Sequence, residues 1–435
     1  MSIKITWVAV ISFFVIVAIL SVSRDINANK QNPCDLRNRV VGARLTKDGR
    51  SPYFYKWKPE DGIRYYDPSN FDTLQVSVMT ATPFFHHLME PLAGLPEHEI
   101  SKWWLLLEYI MFSLITWIAF SAATKALCKW AVLVAAAGFL LTEAWQMHIY
   151  VGQYYLCISF LATLFYFVVS KKENMFLALT AGVFAAALIL IKPTAVFFFL
   201  PFLLVIKNYS RRYLLVLLTP LLGFFIFFIF SKNEQFLWRD YRGHIAEQVK
   251  LHQGLHPALR KKTADPDFAS WEGINKEEIK NEEREHPVIL HSENGNVFVI
   301  INTFFHIKLP LIALGVFLAV CLFAVGGLFY LYSRSNGPVP VAVAAIMGFC
   351  LYMITDLFSP VWRHQYYTVQ WIFPVLLAAA IFKPVFKWPC LLMWAGLVLN
   401  CLNITFIKME HSIGEYFLLI SLIALVLTRK TEKAL

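Results

Sequence analysis

Charge is scarce in this sequence. Asp, Glu, Lys and Arg together make up 16% of its 435 residues, while apolar side chains make up 58%. A soluble protein of this size could not bury that much apolar surface without exposing large sticky patches, so an ordinary soluble fold is excluded. Cysteine is sparse too. Of seven, Cys128, Cys157, Cys321, Cys350, Cys390 and Cys401 lie in or beside apolar segments, and only Cys34 falls in a long polar stretch. That usage builds neither a disulfide framework nor a CxxC metal motif. No internal repeat is visible. The formal net charge is +10, but the basic residues sit in short clusters between apolar blocks, which excludes a nucleic-acid-binding surface.

What is abundant is apolar sequence in long runs. Blocks at 5–22, 104–123, 130–142, 154–169, 175–191, 194–206, 213–230, 309–332, 338–355, 368–382, 389–407 and 413–428 approach or reach the length needed to cross hydrocarbon, roughly 17–25 residues. The expected fold class is an all-α polytopic membrane protein of about a dozen helices, forming one domain over 1–435. Lys and Arg favour cytoplasmic loops. With the N-terminus inside, alternate counting places Lys4, Lys125, Lys129, Lys171, Lys172, Lys207, Arg211, Arg212, Arg334, Lys383, Lys387, Arg429, Lys430 and Lys433 on one face, against only Glu173 and Glu432. Both termini are therefore expected in the cytoplasm, and the first block is expected to be a retained anchor.

Two long loops, about 24–103 and 231–308, then face the extracytoplasmic side. The first has no apolar core of its own and carries turn signals at Asp48-Gly49, Asp61-Gly62 and Asp67-Pro68. Its aromatic stretch Pro83–Leu95 is expected to lie flat in the interface. The second loop offers an amphipathic helix near 234–251 and a charged run at 276–286, which reads as a solvated helix face. The spans hold almost no ionisable residues, so chemistry is expected at the outer surface.

The candidate chemistry follows from placement. Asp35, just past the first span, could take a proton from an incoming hydroxyl as a general base, or simply pair with Arg37 or Arg39. His86 and His87 are adjacent, and neighbours in sequence do not share a helix face, so a metal site there is disfavoured. Glu143, His148 and Gly152-Gln153 mark the outer ends of two adjacent spans, where polar residues also cap helices. Lys192-Pro193 joins two blocks with almost no loop; Pro193 suits a helix start and Lys192 could snorkel to the interface. In Ser359–Tyr367, Arg363 and His364 could hold a lipid phosphate or anchor the helix end.

Taken in order, these residues resemble glycosyltransferase family 87, the multi-spanning GT-C enzymes that include polyprenol-phosphate-mannose-dependent mannosyltransferases and arabinofuranosyltransferases. The matching pieces are Asp35 with Gly49 and Tyr53, Pro83 to Pro91-Leu92, Gly152-Gln153, Lys192-Pro193, and Ser359-Pro360 through His364 and Tyr366. The resemblance runs from the first span to about residue 382. It implies a GT-C-like bundle in the bacterial cytoplasmic membrane, with Asp35 as the base of an inverting transfer and His364 near the donor phosphate. The family often has Asn two residues after this Gln, where Tyr155 stands here. The 231–308 loop also looks long for the family.

The implied reaction moves a sugar, with mannose expected, from a polyprenyl-phosphate donor to a lipid or glycan hydroxyl. Lys192, Arg363 and His364, with Gln153, His148 and Tyr366, are the expected donor and substrate contacts. The reading needs no metal and no cofactor. Other readings are a transporter or flippase of a lipid-linked saccharide, which predicts functional charges inside spans, a glycan polymerase or ligase using diphosphate-linked donors, and a membrane acyltransferase, which predicts a His in mid-span.

Overall fold

The computed structural model describes residues 3–30, 33–67, 77, 79–205, 209–252, 296–307, 309–361, 363–383, 387–402 and 410–428. The expected charged run at 276–286 lies outside them. Regular structure among the described residues is helical, with no strand. The helices are α1 (Ile3–Asn29), α2 (Cys34–Lys47), α3 (Pro83–Met89), α4 (Glu97–Ala122), α5 (Ala126–Leu141), α6 (Glu143–Val151), α7 (Tyr155–Val169), α8 (Met175–Ile191), α9 (Phe202–Val205), α10 (Arg211–Phe230), α11 (Lys232–His252), α12 (Val297–Phe305), α13 (Leu311–Asn336), α14 (Val341–Leu357), α15 (Ile372–Ile381), α16 (Trp388–Cys401) and α17 (Glu410–Leu427). Short 3-10 stretches at Pro193–Phe199 and Gln365–Trp371 lead into α9 and α15.

Among the described residues, each predicted apolar block overlaps a helix, and the blocks at 194–206 and 368–382 open as 3-10 turns. By length and composition, α1, α4, α10 and α13 can each cross a membrane, and α5 with α6, bent by 56° at their break, makes either a broken span or a re-entrant loop. The other blocks form shorter apolar helices of 10–17 residues. In α1, α10 and α13 only 11%, 6% and 6% of the most apolar window is buried. Helices that are apolar on every side yet cover so little of that surface face lipid. The dense interior lies elsewhere: every residue of α14 from Val343 to Leu357 is buried, as is α15 from Ile372 to Ala380. Gly182 lets α8 and α10 cross closely, since a Cβ there would stand 2.1 Å from the Leu217 carbonyl oxygen.

Two expectations need correction. The first long loop has a core after all: Val41, Leu45, Tyr53, Tyr55, Trp57, Tyr66 and Met79 pack together, with Tyr53 hydrogen-bonded to the Ala81 carbonyl at 3.0 Å. Its apolar residues are spaced singly rather than in a run, so only folding assembles them. The helical spans are also not free of charge. Glu108 in α4, Asp356 in α14 and Glu415 in α17 are buried. Each has a cationic or histidine partner within 3.1 Å, which makes burial tolerable.

The breaks in the bundle position the site. Thr142 ends α5 and caps α6, its Oγ1 accepting from the Trp145 N–H at 3.1 Å. This bend directs α6 toward the N-terminal end of α2. The expected amphipathic helix exists as α11, and it packs on α3 and on the end of α10.

Candidate active site

The carboxylate end of the site is built by α2 and α6. Helix α2 starts after Pro33, and its residues from Leu36 to Thr46 are all buried. Asp35 and Arg39 sit one turn apart, where i and i+4 side chains meet; Arg39 Nη1 lies 3.6 Å from Asp35 Oδ1. Helix α6 ends at Gly152 in the left-handed region (φ 69°, ψ 50°), and the Gln153 N–H donates to the His148 carbonyl at 3.0 Å. Only glycine serves here without strain. A Cβ on Gly152 would also stand 2.6 Å from Leu36 Cβ and from Pro33 Cβ.

That contact places Gln153 against Asp35. The Gln153 amide donates to Asp35 Oδ2, while Arg39 Nη2 donates to Gln153 Oε1 at 3.2 Å. The Arg39 guanidinium lies 5.4 Å from the Tyr154 ring centroid. Asp35 keeps 28% of its side chain exposed. Withdrawal from water raises its pKa above the ordinary carboxylate value, and Arg39 and Gln153 oppose that rise. A partly accessible carboxylate with a raised pKa and two fixed neighbours can accept a proton from a bound hydroxyl.

The cationic end comes from the C-terminal boundary of α8 and from residues 356–371. Lys192 Nζ pairs with Asp356 Oδ1 at 2.9 Å, and Asp356 Oδ2 receives Arg363 Nε at 2.9 Å. Arg363 also pairs with Glu415 at 2.5 Å, and Glu415 accepts from Thr368 Oγ1 at 2.6 Å and Trp371 Nε1 at 2.9 Å. Arg363 is 1% exposed, whereas Lys192 keeps 22% of its side chain exposed. Two carboxylates occupy Arg363, so its charge holds the framework; Lys192 is the cation of this pair that reaches open space.

Tyrosines join the two ends. Tyr154 and Tyr155 stack at 4.9 Å, Tyr155 meets Tyr367 at 3.9 Å and Tyr366 at 5.9 Å, and His364 stacks on Tyr366 at 5.1 Å. Lys192 Nζ lies 5.7 Å and 5.6 Å from the Tyr155 and Tyr367 centroids. His364 is exposed at the rim of this wall.

Of the expected residues, Asp35 and Gln153 are in direct contact, and Tyr366, His364 and Lys192 line the adjoining aromatic wall. Arg363 stands behind Lys192, through Asp356. His148 is turned away. Its fully buried ring faces Glu108 of α4, 3.1 Å from Oε2. Tyr53 and Gly49 belong to the core and the turn of the first loop. Sequence reasoning missed Asp356, Glu415, Tyr154 and Tyr367. Their signals were weak: Asp356 sits at the edge of an apolar block, and Glu415 is a single acid inside one.

Residues 80–247 match the model of Glycosyltransferase family 87. Over that span the chain is similar to the family 87 glycosyltransferases. No curated protein and no solved structure matches the chain. In the family 87-like chain the matched span runs from just before α3 into α11, and contains Gln153 and Lys192. Asp35 precedes it, and Asp356, Arg363 and His364 follow it. Its class is that of a membrane glycosyltransferase.

Proposed function

We propose that this protein transfers a sugar, mannose by family resemblance, from a polyprenyl-phosphate donor to a hydroxyl of a lipid or glycan on the extracytoplasmic side, with inversion. The observation that carries the reading is the shared aromatic wall between a held carboxylate and a partly exposed lysine. The acceptor hydroxyl oxygen forms the new bond to the anomeric carbon. The bond from that carbon to the phosphate oxygen breaks, and polyprenyl phosphate leaves with the electron pair. The hydroxyl proton passes to Asp35. Negative charge grows on the departing phosphate, where Lys192 and His364 stand. Arg363 and Asp356 act through Lys192, fixing its ammonium. Tyr366 and Tyr367, backed by the buried Tyr155, give the sugar ring apolar faces to rest on. Gln153 and Arg39 hold the carboxylate in one orientation.

The test is Asp35→Asn, assayed in membranes supplied with labelled polyprenyl-phosphate mannose. Loss of a general base predicts a fall of roughly 10²- to 10⁴-fold at matched protein level. Undiminished transfer would remove Asp35 from the reaction. Translocation of a lipid-linked saccharide is the second reading, favoured by the buried Glu108–His148 pair and by Glu415 within helices. It predicts movement of the donor across vesicles with no glycosidic product.

A further inference from the structure

At the end of α10 the chain turns through Ser231 into α11. Gln235 clamps that corner, its amide donating to the carbonyls of Phe228 at 3.1 Å and Ile229 at 2.7 Å. A cavity of about 460 Å³ opens beside the corner, lined by Phe228, Trp238, Arg239, Tyr241, Arg242 and Ile245 along with Gln235. Its surface is mainly apolar, with two arginines among the lining residues. Phe228 continues the lipid-facing surface of α10, where Phe225, Phe227 and Phe230 are exposed at 60%, 56% and 82%. Arg239 and Arg242 lie on the exposed side of α11.

The polar groups of this cavity are underused. The Trp238 Nε1–H is buried and meets no acceptor among the described residues. Arg242 has no carboxylate within ion-pair reach among the described residues. Among the described residues, the one carboxylate near Arg239 is its neighbour Asp240, at 3.7 Å, and its guanidinium lies 5.3 Å from the Phe236 ring centroid. A buried indole donor without an acceptor is costly, and an anionic oxygen would satisfy it. Two guanidinium groups beside an apolar wall at the end of a spanning helix match a phosphate carried on an acyl chain, since Arg forms bidentate bonds to phosphate. A free phosphate would leave the phenylalanine face unused.

We infer that this cavity is a binding site for the phosphate headgroup of an anionic membrane lipid, with Arg239, Arg242 and Trp238 as its donors and Phe228 against the chain. Tyr241 forms the inner wall, and its ring packs 5.4 Å from Tyr53, so an occupant also sets how α11 lies over the first loop. Arg239, Arg242 and Trp238 take no part in the proposed transfer, so the inference does not rest on that reaction.

Binding is read on the purified full-length protein in detergent, by native mass spectrometry with short-chain phosphatidylglycerol, phosphatidylcholine and inorganic phosphate as probes. Phosphatidylglycerol is expected to bind and phosphatidylcholine not. Arg239→Ala and Arg242→Ala should each weaken phosphatidylglycerol roughly tenfold or more, the scale of a lost charge-assisted bond. Trp238→Phe keeps the ring, removes the donor and should also weaken it, which covers the case of an arginine variant that fails to fold. Asp35→Asn should bind as the unaltered protein does. Equal binding of both lipids, or unweakened binding by folded arginine and Trp238 variants, overturns the inference. Displacement of the lipid by millimolar inorganic phosphate would make the site one for free phosphate and overturn the lipid assignment.

Discussion

The side-chain amide of Gln153 donates to the carboxylate of Asp35, from a residue 118 positions further along the chain. A hydrogen bond given to a carboxylate favours its charged form. Gln153→Leu removes that donor and should move the Asp35 pKa further up. Because a base works when deprotonated, the acid limb of the pH–rate profile for transfer should shift to higher pH. An unmoved limb in this variant would mean that Gln153 does not tune the base.

Gly152 carries the same contact at the backbone level. Gly152→Ala puts a side chain at φ 69°, which costs about 1–2 kcal/mol, and drives its Cβ onto Leu36 and Pro33. Thermal unfolding in detergent should report the loss of stability. Transfer should fall more than the matched loss of folded protein explains, because α2 is pushed from Gln153.

His87 joins α3 to α11. Its Nδ1 lies 2.5 Å from Glu90 and its Nε2 2.6 Å from Glu234. The hydrogen bond to Glu234, aided by Glu90, raises its pKa from 6.5 to about 9. A raised value means that the folded state holds the proton more tightly. The clasp is therefore complete below the free-imidazole pKa and is lost as pH climbs through about 9. Hydrogen exchange over 232–252 should be slow at pH 7 and rise above pH 9. His87→Phe should show fast exchange at both.

The Arg363 cluster predicts a stability effect rather than a direct chemical one. Removing one partner of a buried ion pair costs about 3–5 kcal/mol, since the other charges stay buried. Arg363→Ala, which leaves Glu415 without its cation, should lower the unfolding midpoint sharply. Glu415→Gln should do so less, because the amide can still bond Thr368 and Trp371. Equal midpoints for Arg363→Ala and the unaltered protein would contradict the framework role.

Much of the architecture was legible in advance. Among the described residues each apolar block overlaps a helix because run length is a local property, measured against a fixed hydrocarbon thickness. The amphipathic α11 was legible for the same reason. The core of the first loop was not, because Tyr53, Tyr55, Trp57 and Tyr66 are separated by polar residues and resemble no element until they meet. The candidate site divided in the same way. Asp35, Gln153, Lys192 and His364 stood out by type and position near helix ends. Nothing local distinguished Arg363, which is enclosed, from His364 beside it, which is exposed.

The sequence alone determined that this chain belongs in a bilayer, roughly where its apolar helices fall, and which polar residues are available near their ends. Those properties depend on composition over a few turns. The tertiary structure decided how the charges are used. Asp356 joins Lys192 to Arg363, Glu415 takes the second face of Arg363 from 52 positions away, and Glu108 takes His148. Ion pairs form between whichever ends are brought together, and helix periodicity does not encode which ends those are.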